Sequence, residues 1–415
     1  MIRCLFYLLL TSISITSFSQ QKARKAVFII VDGIAADVIE KLNPPNLQKI
    51  SAAGGFAKTI VGGEKDAYSE TPTISAVGYN SVLTGTWVNK HNVWDNDIAD
   101  PNYNYPTIFR LLKTQYPAKK IGVFSSWLDN RTRLVGDKLK ATGDIEVDYK
   151  FDGLELDTIN YPHDKERNFM HRIDEKVVDE AASYILGKGP DLSWVYLEYT
   201  DDMGHMHGDS PEFYKAIAYA DEQVGRIWNA VEQRQKNNDE DWLVVITTDH
   251  GRDSATGHNH GGQSARERAG WIVTNAKNLN QYFKKNESAM VDIMPTIARF
   301  MNIDIPVDIA REVDGIPLTG KLSFTHLSAN YSNGKAQLTW KAIEKEGKVK
   351  IWVATTNAFK KGGKDEYRLM GEFPLSSQKA TIDLQTMPST FYKVVVEGKN
   401  NRMGRWILPQ VASRK

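Results

Sequence analysis

The chain has 415 residues, more than one ordinary domain holds, so two units and a sizeable buried core are expected. With 41% hydrophobic and 25% charged residues, the composition excludes a wholly disordered, collagen-like or multi-span membrane chain. The 52 Lys and Arg are balanced by 51 Asp and Glu, which gives no electrostatic case for a nucleic acid polymer as partner.

The N-terminus reads as a signal peptide over residues 1–19. Arg3 supplies the positive end, Leu5 to Leu10 an apolar run, and Ser17-Phe18-Ser19 a small-x-small cleavage pattern before Gln20. An uncleaved anchor is the competing reading, but the apolar stretch is short and interrupted by Thr and Ser. Cys4 precedes the run, which disfavours a lipoprotein signal. Cleavage would remove Arg3 and Cys4, leaving 51 basic and 51 acidic residues and no cysteine for a disulfide, a thiolate ligand or a thiol nucleophile. The expected destination is secretion or the periplasm, with no transmembrane segment in the mature chain.

Next, Lys25 to Val31 (KAVFIIV) is a continuous apolar run ending at Asp32-Gly33, the pattern of a strand buried on both faces. Lys120 to Ser125 has the same look. Leu192 to Tyr199 ends just before Asp201, and Trp242 to Thr248 ends at Asp249-His250. Between and after these runs, Glu212 to Gln233 and Ser288 to Met301 carry apolar residues at helical spacing. Alternating strands and helices predict an α/β fold, a mostly parallel central sheet flanked by helices, over residues 20–319. From about Leu322 short alternating runs separated by Gly, Asn, Lys and Ser clusters predict a β-sandwich of fibronectin III or immunoglobulin type over residues 320–415. In that region Trp340, Trp352 and Trp406 are expected in the core, with an aromatic binding face for a glycan or protein as the alternative. Lys360 to Lys364 reads as a solvated loop.

Ligands of open parallel sheets bind beyond the carboxyl ends of the strands, where Asp32, Asp201 and Asp249 fall. Five of the nine histidines lie between positions 205 and 260, following two of these aspartates. Alone, such an aspartate is often a helix cap and such a histidine structural; D-x-x-G-H and D-H-G at one sheet edge form a joint pattern. Asp32, Asp201, His205, Asp249, His250 and either His258 or His260 offer oxygen and nitrogen without sulfur, a donor set that suits two Zn²⁺, with Mn²⁺ or Fe as alternatives. Two divalent ions and three carboxylates sum to about +1, a charge matched to an anionic phosphoryl centre.

Taken together, V-D-G at Asp32, T-P-T-I-S-A-V-G-Y-N-S-V-L-T-G from Thr71 to Gly85, D-D-M-G-H at Asp201, T-D-H-G at Thr248 and H-G-G-Q-S at His260 resemble the alkaline phosphatase superfamily. Within it, the nucleotide pyrophosphatase/phosphodiesterase branch is the most similar, in order from about Lys25 to Leu318. The resemblance implies that Asp201, His205 and His260 hold one zinc, and Asp32, Asp249 and His250 the other. It prefers His260 to His258 and leaves His207 beside the site. It implies Ser75 as nucleophile and metal ligand, with Thr71 and Thr73 as rivals, and Asn96 as donor to a phosphoryl oxygen, with Asn92 as fallback.

Two departures from the branch stand out. Its usual T-F-P-N is replaced by Ser75-Ala76-Val77-Gly78, and the K-x-R pattern of monoester-specific relatives is reduced to Arg131 alone in Ser125 to Arg131. Fewer cations discriminate less in favour of a dianion. No C/S-x-P-x-R follows Ser75, which disfavours a sulfatase. Trp127 is expected either to stack on a flat leaving group or to lie in the core. The segment Asp129 to His171 is the expected substrate-setting insertion. The implied activity is hydrolysis of a small phosphodiester or pyrophosphate through a phosphoserine, with a phosphomonoesterase and a non-catalytic binding protein as alternatives.

Overall fold

The structure is a computed structural model that describes residues 22–409; the signal-peptide expectation lies outside them. Eight strands form one sheet: β1 (Ala23–Val31), β2 (Gly55–Ile60), β3 (Ile121–Ser125), β4 (Tyr149–Phe151), β5 (Leu192–Leu197), β6 (Glu240–Thr247), β7 (Ala269–Thr274) and β8 (Ser288–Ala289). Their order is β4-β3-β5-β1-β6-β7-β2-β8, and β7 alone runs antiparallel to its neighbours. β1 lies between β5 and β6, parallel to both, with Ile30 opposite Tyr196 on one side and Thr247 on the other.

Alternation explains the unbroken apolar run of β1. Ala26, Phe28 and Ile30 enter one core with helices Ser75–Thr84, Ile108–Gln115 and Ile293–Met301. Val27, Ile29 and Val31 enter the other with helices Pro45–Ala53, Asn168–Lys188 and Pro211–Asn237. Burial on both faces makes β1 apolar from Ala26 to Val31, and Asp32 is the first polar residue after that run.

Helix Pro211–Asn237 extends the expected span at both ends, with the Ser210 hydroxyl accepting from the Phe213 amide as its cap. The span Ser288 to Met301 is corrected: residues 288–289 pair with β2, residues 290–292 form a 3₁₀ turn, and the helix begins at Ile293. Pro295 explains the late start, because proline is tolerated only in the first turn.

After Phe324 the chain forms antiparallel strands. β9 (Phe324–Ser332), β10 (Lys335–Ala342) and β13 (Lys379–Asp383) make one sheet; β11 (Lys348–Ala354), β12 (Arg368–Pro374), β14 (Tyr392–Glu397) and β15 (Arg402–Ile407) make another. They enclose their own core, which contains Trp340. Trp352 and Trp406 depart from the core expectation. Both are half-buried: Trp406 stacks on Tyr68 at 5.4 Å, and the Arg311 guanidinium lies over Trp352 at 4.7 Å. They are spent on contact with the preceding part of the chain. Among the described residues no helix is long and apolar enough to cross a membrane.

Candidate active site

Three adjacent parallel strands end at the site. Asp32 follows β1, Asp249 and His250 follow β6, and β5 leads into helix Tyr199–His207, which carries Asp201 and His205 one turn apart on one face. Gly33, at φ 68°, makes the turn after Asp32 and donates its amide to Asp249 Oδ1 at 3.1 Å; a β-carbon there would collide with Asp201 and Arg252.

His250 Nε2 lies 3.3 Å from Asp32 Oδ1 and 3.2 Å from Asp249 Oδ2. All three atoms are buried without a hydrogen-bond partner. His250 Nδ1 faces the Gly251 carbonyl at 3.0 Å, which places the ring hydrogen there and leaves Nε2 as a lone pair. Three converging acceptors with no donor among them are costly to bury and fit a cation. Asp201, His250 and His260 also come within ligand reach of one another. His205 Nε2 lies 3.2 Å from Asp201 Oδ2 and 3.0 Å from His260 Nε2. The ring hydrogen of His260 goes to the Thr73 carbonyl at 2.8 Å, so its Nε2 also presents a lone pair.

The electrostatics reflect this crowding. Burial, with Asp249 and Asp201 close by, pushes Asp32 well above the usual carboxylate range, and burial beside Asp201 raises Asp249 to about 7. Burial lowers His250, with His260 adding to it. Asp201 goes the other way: burial raises it, but the His205 hydrogen bond and the Arg252 charge outweigh burial and hold it low.

The alternatives left by the sequence sort themselves geometrically. Thr71 Oγ1 donates to the Ser69 carbonyl at 2.8 Å and Thr73 Oγ1 to the Gly262 carbonyl at 2.8 Å, so both hydroxyls are occupied. Ser75 is the first residue of helix Ser75–Thr84, makes no capping bond, and lines a cavity of about 460 Å³ with Asp32, Asn96 and Asp201. Asn96 Oδ1 accepts the Ala76 amide hydrogen at 3.0 Å, which leaves its NH₂ group as a donor at the cavity that Asn96 shares with Ser75. Asn92 is occupied within its loop by Asp100 and Trp94. His258 donates Nδ1–H to the His205 carbonyl at 2.8 Å and is not grouped with the clustered ligands; His207 is exposed.

Other residues of the site carried no readable signal. Arg252, fully buried, binds the Gly33 and Asp201 carbonyls, both at 2.8 Å, and pairs with the Asp201 carboxylate. The hydroxyls of Tyr79 and Tyr196 both donate to Asp32 Oδ2. Tyr79 lies one turn after Ser75, a spacing that could have suggested it. Trp127 lines the cavity, and so do Glu155, Leu156, His163, Arg167, Phe169 and Met170 from the insertion. Arg131, the one arginine of the Ser125 to Arg131 stretch, is held at 2.6 Å by both Asp137 and Asp152, outside the cavity lining. The cavity's own cation is Arg167, held by Asp202 at 2.6 Å and Glu198 at 3.2 Å.

Fold and site together define an alkaline phosphatase-like protein. The chain belongs to the type I phosphodiesterase / nucleotide pyrophosphatase family, whose model matches residues 26–293. A venom phosphodiesterase of Crotalus durissus collilineatus is 26% identical over 235 residues, covering 54% of this chain and 26% of that protein. An ectonucleotide pyrophosphatase/phosphodiesterase of Caenorhabditis elegans is 23% identical over 211 residues, covering 50% and 24%. The chain spans about a quarter of the length of the curated relatives it matches. Among solved structures, a proposed sulfatase from Bacteroides thetaiotaomicron shares the fold at TM-score 0.50 and 12% identity, covering 85% of this chain and 86% of that one. Murine ectonucleotide pyrophosphatase / phosphodiesterase 5 matches at TM-score 0.47 and 14% identity, covering 68% and 96%.

Proposed function

We propose that this protein is a secreted or periplasmic two-zinc phosphodiesterase that cleaves small phosphodiester or pyrophosphate bonds with Ser75 as nucleophile. The observation that carries the reading is a hydroxyl without a protein partner at a helix start, sharing one cavity with Asp32 and Asp201 of the carboxylate and histidine cluster. Asp201, His205 and His260 would hold one metal ion, and Asp32, Asp249, His250 and the Ser75 oxygen the other, with Mn²⁺ or Fe as alternatives to zinc. Bound ions supply positive charge that lowers the serine pKa and offsets charge on the leaving oxygen.

The chain's own residues account for the remainder. Ser75 Oγ forms a bond to phosphorus as the bond to the leaving oxygen breaks, and the leaving group departs as an alcohol or phosphate. Water then cleaves the phosphoserine, returning the hydroxyl and releasing the second product. The Asn96 NH₂ donates to a non-bridging oxygen, and the start of helix Ser75–Thr84 favours the anion. Arg167 favours the monoesterase alternative, but Asp202 and Glu198 already occupy its charge, which supports a diester preference. Trp127 offers a flat surface for a leaving group. The division into residues 20–319 for catalysis and 320–415 as a separate sandwich belongs to the same proposal. The words venom and ectonucleotide in the relatives' names support secretion.

The test is hydrolysis of a chromogenic phosphodiester and its matching monoester, with zinc, with chelator and with Ser75→Ala. Zinc-dependent, serine-dependent turnover favouring the diester is expected; a preference for the monoester would replace the reading with a phosphatase.

A further inference from the structure

The Asn96 loop is held at its base by the C-terminal strands. The loop leaves helix Val88–His91 and returns where the Asn102 amide donates to the His91 carbonyl at 2.8 Å, an Ω-like excursion with Asn96 on it. The 3₁₀ turn Phe359–Lys361, between β11 and β12, grips both ends of that excursion. Lys360 Nζ donates to the Asn89 carbonyl at 3.0 Å on the outgoing side. The Lys360 carbonyl accepts from Asn102 Nδ2 at 2.9 Å and Asn104 Nδ2 at 3.2 Å on the returning side. Phe359 packs on Tyr105, with ring centroids 5.2 Å apart. Lys360 is therefore half-buried, which corrects its reading as part of a solvated loop; Lys361 and Lys364 remain exposed.

The turn is itself anchored. Asp365 accepts from the Ala358 amide at 2.7 Å and from Lys393 Nζ at 2.7 Å, and Lys393 also bonds Glu312 at 2.6 Å, with all three charged side chains almost fully buried. On the other side of Glu312, its carbonyl receives Lys90 Nζ at 2.6 Å, and Lys90 lies in the helix that launches the loop. A continuous buried chain of hydrogen bonds thus runs from the β-rich region to the helix that launches the loop bearing Asn96.

We infer that Lys360 is a positioning residue for the phosphoryl-transfer site: the C-terminal region staples the loop so that Asn96 stays bonded to the Ala76 amide with its NH₂ facing the substrate oxygen. This inference rests on the proposed role of Asn96. Lys360→Met removes the bond to Asn89, and Asn102→Ala removes one bond to the Lys360 carbonyl.

In the full-length zinc-loaded protein, each variant is expected to lower kcat and kcat/KM on a chromogenic diester by the same factor, about fivefold, the worth of one hydrogen bond. Each should also speed hydrogen exchange in residues 92–102, and Lys360→Arg should restore both. In an Asn96→Ala background Lys360→Met should cost nothing more in rate. Unchanged kcat and exchange in Lys360→Met and Asn102→Ala overturn the inference, and so does a full additional loss in the Asn96→Ala background. An Asn96→Ala variant with wild-type kinetics removes the role of Asn96 and the inference with it. If neither ester is turned over, the proposed activity fails separately, and hydrogen exchange alone decides the stapling.

Discussion

Thr73 and His260 hold each other: the Thr73 carbonyl takes the His260 ring hydrogen at 2.8 Å, and the Thr73 hydroxyl receives the Gly261 amide at 3.0 Å and donates to the Gly262 carbonyl. The segment leading to Ser75 and the segment bearing a candidate ligand are therefore one unit. Thr73→Val keeps the carbonyl and deletes the hydroxyl bonds, loosening the orientation of His260. Zinc affinity of the metal-free protein, measured calorimetrically, is expected to fall about tenfold or more, the usual effect of losing support around a ligand. Unchanged affinity would mean that the carbonyl alone orients the ring.

Among the described residues the Ser75 hydroxyl has no hydrogen-bond partner, so Ser75→Ala is expected to remove the proposed nucleophile and little else. Turnover of the diester is expected to drop by at least about a thousandfold, as for other lost nucleophiles, while the melting temperature stays at the wild-type value. Residual turnover within a few fold of wild type would move the nucleophile elsewhere.

Arg252 is a fully buried cation that ties Gly33 to Asp201. Arg252→Met leaves the Asp201 carboxylate without that charge, and the metal-free protein is expected to lose about 3–5 kcal/mol in urea unfolding. Lysine, a compact point charge, cannot reproduce the fork that reaches both carbonyls and the carboxylate, so Arg252→Lys should recover only part of the loss. A methionine variant as stable as wild type would show that the pair is dispensable.

His91 gives the fold a dependence on acid. Its Nδ1 accepts the Val93 amide at 3.1 Å, its Nε2 faces Ser81 Oγ at 3.0 Å, and burial pushes its pKa down from 6.5 to about 3. The unfolded chain takes up this proton first as pH falls. The stability contributed by neutral His91 is complete above about pH 6.5 and is lost between there and about pH 3, at on the order of 1 kcal/mol per pH unit. Raised carboxyls such as Asp174 and Asp292, both at about 7, act in the opposite sense, so the effect is read as a difference between wild type and His91→Asn in urea midpoints from pH 7 to about pH 5. Parallel pH dependences in the two proteins would contradict it.

The central strands were legible because a strand buried on both faces reads as a continuous apolar run, and the carboxylates Asp32 and Asp249 stand out close after the runs that end at Val31 and Ile246. The ligand clusters were legible for the same reason. What escaped was set by tertiary contact. β7 reverses direction after a long loop, and nothing local in AGWIVT encodes the hand of its pairing. Arg252 follows D-H-G like any surface arginine until the three strand ends close around it. Lysine and glycine at residues 360–364 have the composition of a solvated turn, and composition does not distinguish a docked loop from a free one. The cavity wall from Glu155 to Met170 lies in irregular backbone and the start of a helix, where no repeat marks which side chains face inward.

The position of β1 between β5 and β6 also orders events during synthesis. Asp32 emerges early, but the atoms that converge on it come from Asp249 and His250, and His260, grouped with Asp201 and His250, emerges last. A chain growing from its N-terminus therefore holds no complete cation-binding pocket until both flanking strands have docked, and metal capture has to follow folding of the sheet.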